Sequence, residues 1–170
     1  MYNKEIKIIL SGLVAIFGII LMKSGEIGYG ILILLLMGLI ILSIFKDERI
    51  IRAFYFIRKN NMTKAAMILD KIKFPEKLIQ SQEAYFYYLN GLVLSQTQMN
   101  KAEKFFKRSL AIGLRTDMDQ AVAKLNLAGL AMSRRRKREA SALLTEVKKL
   151  DKHNMLEDQR KMMKDQMKKI

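Results

Sequence analysis

The sequence predicts an all-α chain: a hairpin of two apolar helices, then an α-solenoid of about three helical hairpins closed by a C-terminal helix. Three observations predict it. Two uncharged stretches, IILSGLVAIFGIILM from Ile8 to Met22 and IGYGILILLLMGLIILSIF from Ile27 to Phe45, stand together at the front. Behind them, apolar residues recur at steps of three and four, the spacing that builds one helical face. Finally, the pair Gly91 and Ala102, with ten residues between them, recurs as Gly129 and Ala140, and the single proline and absence of tryptophan suit a nearly all-helical chain.

Taken in order, the first element is a membrane anchor over residues 1–46. At 1.5 Å per residue the second apolar stretch covers roughly 28 Å, close to the thickness of a bilayer core. The first covers roughly 22 Å and reaches across if Lys7 and Lys23 lay their stems along the helix. Spans over about 6–23 and 27–45 follow, forming a transmembrane hairpin. A secretory signal is the competing reading of the first stretch; no small-residue cleavage pattern follows Met22, and a longer span comes next. The connection KSGEIGYG makes a tight turn, and its Gly25, Gly28 and Gly30 lack the preceding strand that a nucleotide-binding loop needs. Ser11, Ala15 and Gly18 give the first helix a small-residue edge, for the second helix or for a second copy of the chain. Lys4 and Lys7 before the hairpin, and Lys46, Arg49 and Arg52 after it, place both termini in the cytoplasm. The expected localisation is an integral protein of a bacterial inner membrane, bacterial because of its many Lys, Ile and Asn residues.

Residues 47–170 then form a cytoplasmic helical domain. Of the net charge of +15, residues 1–46 hold only +2, leaving +13 here. DERIIRAFYFIRKNN is a helix with Ile50, Ile51, Phe54 and Ile57 inward, ended by Asn60 and Asn61. TKAAMILDKIKF follows, capped by Thr63 and stopped before Pro75. The central pair runs from Ala84 to Leu114. Its first helix has a stripe of Tyr85, Tyr88, Leu89, Leu92 and Val93, and its second a stripe of Ala102, Phe105, Phe106, Ser109, Leu110 and Ile112 with Asn100 as cap. Gly91 within the first stripe costs about 1 kcal/mol in helix propensity, which implies a close approach by the second helix. After the break at GLRTDMDQ, Thr116 or Asp117 caps a helix through Ala121, Leu125 and Ala128. Its partner runs from Lys137 to Leu150 with Ala140, Leu143, Leu144 and Val147 inward. In the tail, Asn154 and Glu157 have capping-box spacing. Met155, Leu156, Met162, Met163, Met167 and Ile170 form a broken stripe that closes the solenoid's end or lies on anionic lipid.

Ala65, Ala102 and Ala140 are spaced by 37 and 38 residues, a period that means stacked helical hairpins. Four residues after each alanine stands a large apolar side chain, Leu69, Phe106 and Leu144, and four before each glycine stand Tyr87 and Leu125. In the first unit Phe54 takes the glycine position. This pattern resembles the tetratricopeptide repeat over residues 48 to 152. The resemblance implies a scaffold that binds other proteins in a concave groove lined by the first helix of each hairpin. On the matched register the groove would include Arg58, Tyr85, Tyr88, Leu92, Gln96, Asn126, Leu130 and Arg134. Such a mixture of Tyr, Asn and Arg suits an acidic or aromatic-bearing segment.

Enzymatic chemistry is hard to assemble from these residues. There is no cysteine, and the one histidine, His153, lies in a polar turn without a second nitrogen ligand. The carboxylate pairs Asp47 with Glu48 and Glu157 with Asp158 fall at helix starts, where dipole and solubility roles suffice. No catalytic residue, metal site or cofactor is expected. The run Arg134, Arg135, Arg136, Lys137 and Arg138 forms a basic patch. It reads as a solvated turn, a contact with anionic phospholipid or an acidic protein, or, without aromatic interleaving, less well as a nucleic-acid site. The expected function is a membrane-tethered scaffold recruiting a protein partner. The alternative is a charge-driven binder of anionic lipid or nucleic acid.

Overall fold

The computed structural model of the chain describes residues 4–25, 27–45 and 47–169, with side chains described at 9–25, 27–38 and 47–169. Among the described residues every regular element is helical. The chain divides into two compact units, Met1–Glu48 and Arg49–Ile170.

In the first unit, α1 (Lys4–Lys23) and α2 (Ile27–Phe45) pack against each other as a hairpin. The turn between them uses Gly25 at φ +91°, a conformation that only glycine adopts without strain. Contact centres on two glycines. A Cβ on Gly18 would stand 3.1 Å from Ile33 Cγ2, and one on Gly30 would stand 3.1 Å from the Gly18 carbonyl oxygen, which backbone cannot yield. Gly18 of the predicted small-residue edge thus faces the second helix. Large aliphatic and aromatic residues such as Ile9, Leu13, Tyr29 and Leu35 are exposed on this unit.

The expectation of a transmembrane hairpin is corrected. Among the described residues no helix is long and apolar enough to cross a membrane. The predicted spans over 6–23 and 27–45 therefore fail, and with them the integral inner-membrane localisation and the cytoplasmic placement of both termini. Of the charges that set that orientation, Lys46 and the side chains of Lys4 and Lys7 lie outside the described residues. So does Ile170 of the tail stripe.

The second unit is a stack of antiparallel helices: α3 (Glu48–Arg58), α4 (Met62–Leu69), a 3-10 turn at Pro75–Lys77, α5 (Gln80–Leu94), α6 (Met99–Ile112), α7 (Asp117–Ser133), α8 (Lys137–Leu150) and α9 (Glu157–Lys169). The central hairpin forms where the stripes predict it. Ala84, Tyr88 and Leu89 of α5 bury against Ala102 and Phe106 of α6, and Ala123, Leu127 and Leu130 of α7 extend the same core. Gly91 makes the close approach possible, because the Phe106 ring lies 2.8 Å from where its Cβ would stand. Phe106 is wholly buried, edge-on to Tyr88 with ring centroids 6.3 Å apart. In the third hairpin, Ala140, Leu144 and Val147 of α8 are buried as expected.

Caps are chosen by geometry more than by residue type. Thr116 caps α7 as predicted, its Oγ1 accepting the Asp119 N–H at 3.0 Å. Asn61, not Thr63, caps α4 by accepting the Lys64 N–H at 3.1 Å. Asn100 caps nothing, since α6 begins one residue earlier behind Gln98 and the Asn100 amide instead accepts a hydrogen bond from Arg134. Before α9, the carboxylate of Asp151 replaces the predicted Asn154–Glu157 box. It accepts the N–H groups of Met155 at 2.9 Å and Leu156 at 2.7 Å, while Asn154 sits at φ 54° in the intervening turn.

The first hairpin departs from the other two, as its Phe54 suggested. Ile50 and Ala53 are buried, but Ile51 is 61% exposed and Phe54 38% exposed, so the inward face is rotated from the one predicted. Ile50 and Ala53 join the core cluster of Leu69, Ile72 and Ala84, and α4 docks on α5. A hydrogen bond from Arg49 Nη1 to the Lys71 carbonyl, 2.7 Å, ties the start of α3 to the end of α4.

At the other end, α9 packs on α7 and α8. Leu156 joins the cluster of Ala121 and Val147, and Met167 the cluster of Ala131, Met132 and Ala140, so α9 runs parallel to α7. That is the place of a first helix in a fourth hairpin, and it covers the end of the stack.

Candidate functional site

Because the first helices of successive hairpins run side by side, α5, α7 and α9 together make one surface, with α7 at its centre. A cavity of about 500 Å³ opens there. Leu125, Asn126, Gly129, Leu130 and Ser133 of α7 form its floor, Ser95, Gln96 and Met99 one wall, and Gln159, Met162 and Met163 of α9 the other. Gly129 keeps the floor low. A Cβ there would meet only the Met163 methyl, at 3.5 Å, so no part of Leu144 comes within 4 Å. The repeated Gly–Ala register therefore hides two different environments. Phe106 is long enough to fill the space over Gly91, but Leu144 is too short to reach Gly129.

Of the predicted groove residues, the structure brings Gln96, Asn126, Leu130 and Arg134 to this region. Asn126 Nδ2 donates to the Val122 carbonyl at 2.8 Å, which leaves its amide oxygen directed away from that bond and able to accept another. Leu130 is 6% exposed and contributes from beneath. Tyr85, Tyr88 and Leu92 lie elsewhere. The Tyr85 hydroxyl donates to the Asp119 carboxylate, and burial together with that carboxylate pushes its pKa up to about 12. Tyr88 is 3% exposed and belongs to the core, burial being the main cause of its raised pKa. Leu92 packs half-buried against the same core. Arg58 ends α3 and lines neither this cavity nor the hollows beside it. Met99, Gly129, Met162 and Met163 were missed. The signal was present as a methionine stripe in the tail two turns past a capping signal, but nothing in it says which helix the stripe faces.

Two hollows flank Arg134. One, of about 590 Å³, lies among Gln96, Met99, Lys101 and Arg134 and adjoins the cavity through Gln96 and Met99; the other, of about 450 Å³, lies among Glu103, Lys104, Lys107 and Arg134. Arg134 itself is bound to Glu103 and Asn100 of α6. Arg136 Nη2 stands 3.2 Å from Glu103 and its Nη1 2.8 Å from Glu139. The Glu103 carboxylate, 12% exposed, also pairs with Lys107 at 2.8 Å. Its pKa falls to about 2, with the Lys107 hydrogen bond the largest cause and the Arg136 and Arg134 guanidiniums adding to it. The basic run is thus a turn stapled to the preceding hairpin. Arg135, at φ 58°, Lys137 and Arg138 remain exposed.

Among the described residues, no group of three or more acidic or histidine side chains is placed to hold a metal ion. No family model, curated protein or solved structure matches the chain.

Proposed function

We propose that the helical stack is a protein-binding scaffold of tetratricopeptide-repeat type, whose groove over α7 takes a segment of a partner protein. The observation that carries this reading is the open floor at Gly129 between two methionine-bearing walls. A groove of this volume with apolar walls and a few amides is the usual form of a recognition site. Unbranched methionines adapt to an incoming side chain, as they do on other helix-binding surfaces. The free amide oxygen of Asn126, and the amides of Gln96 and Gln159, suit backbone or polar groups of that segment. The charge-only alternative has less support, because Arg134 and Arg136 are already engaged by Glu103.

Gly129→Leu tests it. The added Cβ meets only the flexible end of Met163, at 3.5 Å, so α7 should remain intact while the rest of the side chain fills the groove. Peptides selected from a displayed random library on the full chain should bind Gly129→Leu at least tenfold more weakly, with an unchanged circular dichroism spectrum. Selected peptides indifferent to that substitution would show that the groove is not the binding surface.

A further inference from the structure

Charge is distributed very unevenly between the two ends of the stacked helices. One edge holds the α5–α6 turn, the α7–α8 turn and the end of α9. It is drawn together by Arg134 on Asn100 and Glu103, by Ser133 Oγ donating to Met99 Sδ at 3.7 Å, and by Met167 against Ala131 and Met132. Its segments, 95–104, 134–139 and 164–169, carry ten Lys and Arg against three carboxylates, a net of +7. The opposite edge is drawn together by Gln80 Nε2 donating to the Ile112 carbonyl at 3.1 Å and by Lys152 on Asp117 at 2.7 Å. Its segments, 80–83, 112–119 and 148–158, carry four Lys and Arg against six carboxylates, a net of −2. Chain order scatters these residues; only the antiparallel stacking collects one sign on one edge.

Much of that positive charge is unspent. Arg134 and Arg136 serve Glu103, and Lys168 pairs with Asp165 at 2.9 Å. Lys101, Lys104, Arg135, Lys137 and Arg138 have no carboxylate within 4.0 Å among the described residues. The groove meets this edge, since Gln96 and Met99 wall both the groove and the hollow that Lys101 and Arg134 line.

We propose that the segment held in the groove continues over this edge as a run of Asp and Glu, so that the partner is a protein segment with apolar anchors flanked on one side by acidic residues. The inference rests on the groove reading above. Lys101, Lys104 and Arg135 are the cations that meet the acidic flank, and the uncharged groove takes the anchors. Electrostatic complementarity of this kind sets the direction in which the segment lies and speeds its capture.

The test uses the same displayed library on the full chain at low salt, followed by fluorescence polarisation with the enriched peptides. Enriched peptides should carry a carboxylate run beside their apolar residues. Lys101→Glu with Lys104→Glu, both on exposed positions, should weaken them at least tenfold at low salt and much less at high salt, whereas Gly129→Leu should weaken them at either salt. If the double variant binds as well as the parent while Gly129→Leu does not, the edge proposal fails and the groove reading stands. If the double variant loses binding while Gly129→Leu is indifferent, charge alone holds the ligand and both readings fail. Displacement by inorganic polyphosphate or a short oligonucleotide as effectively as by the peptide overturns the choice of a protein partner, and failure of any peptide to enrich counts against both readings.

Discussion

Gly91 and Gly129 hold matching positions in successive hairpins, and replacement by alanine should move stability in opposite directions. At Gly91 the new methyl group would meet Phe106 ring carbons at 2.8 Å, and that ring is wholly buried and hemmed by Tyr88. Overpacking of this kind costs about 1–3 kcal/mol, more than the gain of about 1 kcal/mol in helix propensity. At Gly129 the methyl group finds only the end of Met163 at 3.5 Å, an ordinary contact, so the propensity gain of about 1 kcal/mol should survive. Urea unfolding should therefore show Gly91→Ala destabilised and Gly129→Ala stabilised. Both glycines, and their spacing from Ala102 and Ala140, were legible in the sequence. That the second faces a groove was not, because it depends on the difference in reach between a phenylalanine and a leucine across two helices.

At the scale of elements, the link between the second and third hairpins runs through Glu103. One carboxylate on α6 holds Arg134 and Arg136 from the α7–α8 turn and Lys107 from its own helix. Its folded pKa lies below its ordinary value of 4.5, at about 2. A group depressed on folding contributes stability above its unfolded pKa and loses it as pH falls through the folded one. Unfolding midpoints of the parent and Glu103→Gln should accordingly differ most above about pH 5 and converge toward pH 2. A constant gap across that range would show that the staple does not depend on the charge. The run RRRKR looked in the sequence like a uniform free patch. Its partition into engaged and free cations follows from a glutamate about thirty residues earlier in the chain, which no local pattern connects to it.

For the whole molecule, protection should not be uniform along the stack. Hydrogen exchange should be slowest in α5 to α8, whose faces bury Tyr88, Leu89, Phe106, Leu127 and Leu144, and fastest within this unit in α3. That helix buries only Ile50 and Ala53 and leaves Ile51, Phe54 and Tyr55 exposed. Equal protection of α3 and α5 in a mass-spectrometric exchange series would contradict this gradient. Repeat arrays gain stability from each interface between neighbours, and a helix that buries few of its residues gains the least.

What the sequence determined by itself was whatever depends on residues near in the chain. It set the all-helical class, the positions of α5 to α8 and the buried stripe through Ala102, Phe106, Ala140 and Leu144, because helical periodicity and helix termini are local properties. The membrane assignment for the front hairpin was also drawn from local hydropathy, and it did not hold. Only the tertiary structure decided that α9 walls a groove over Gly129, that Glu103 spends two of five clustered cations, and that the remaining positive charge gathers on one edge. Each of these joins residues distant in the chain. Such pairings are fixed by the fit of one helix against another, which side-chain length and antiparallel stacking control and which no single segment encodes.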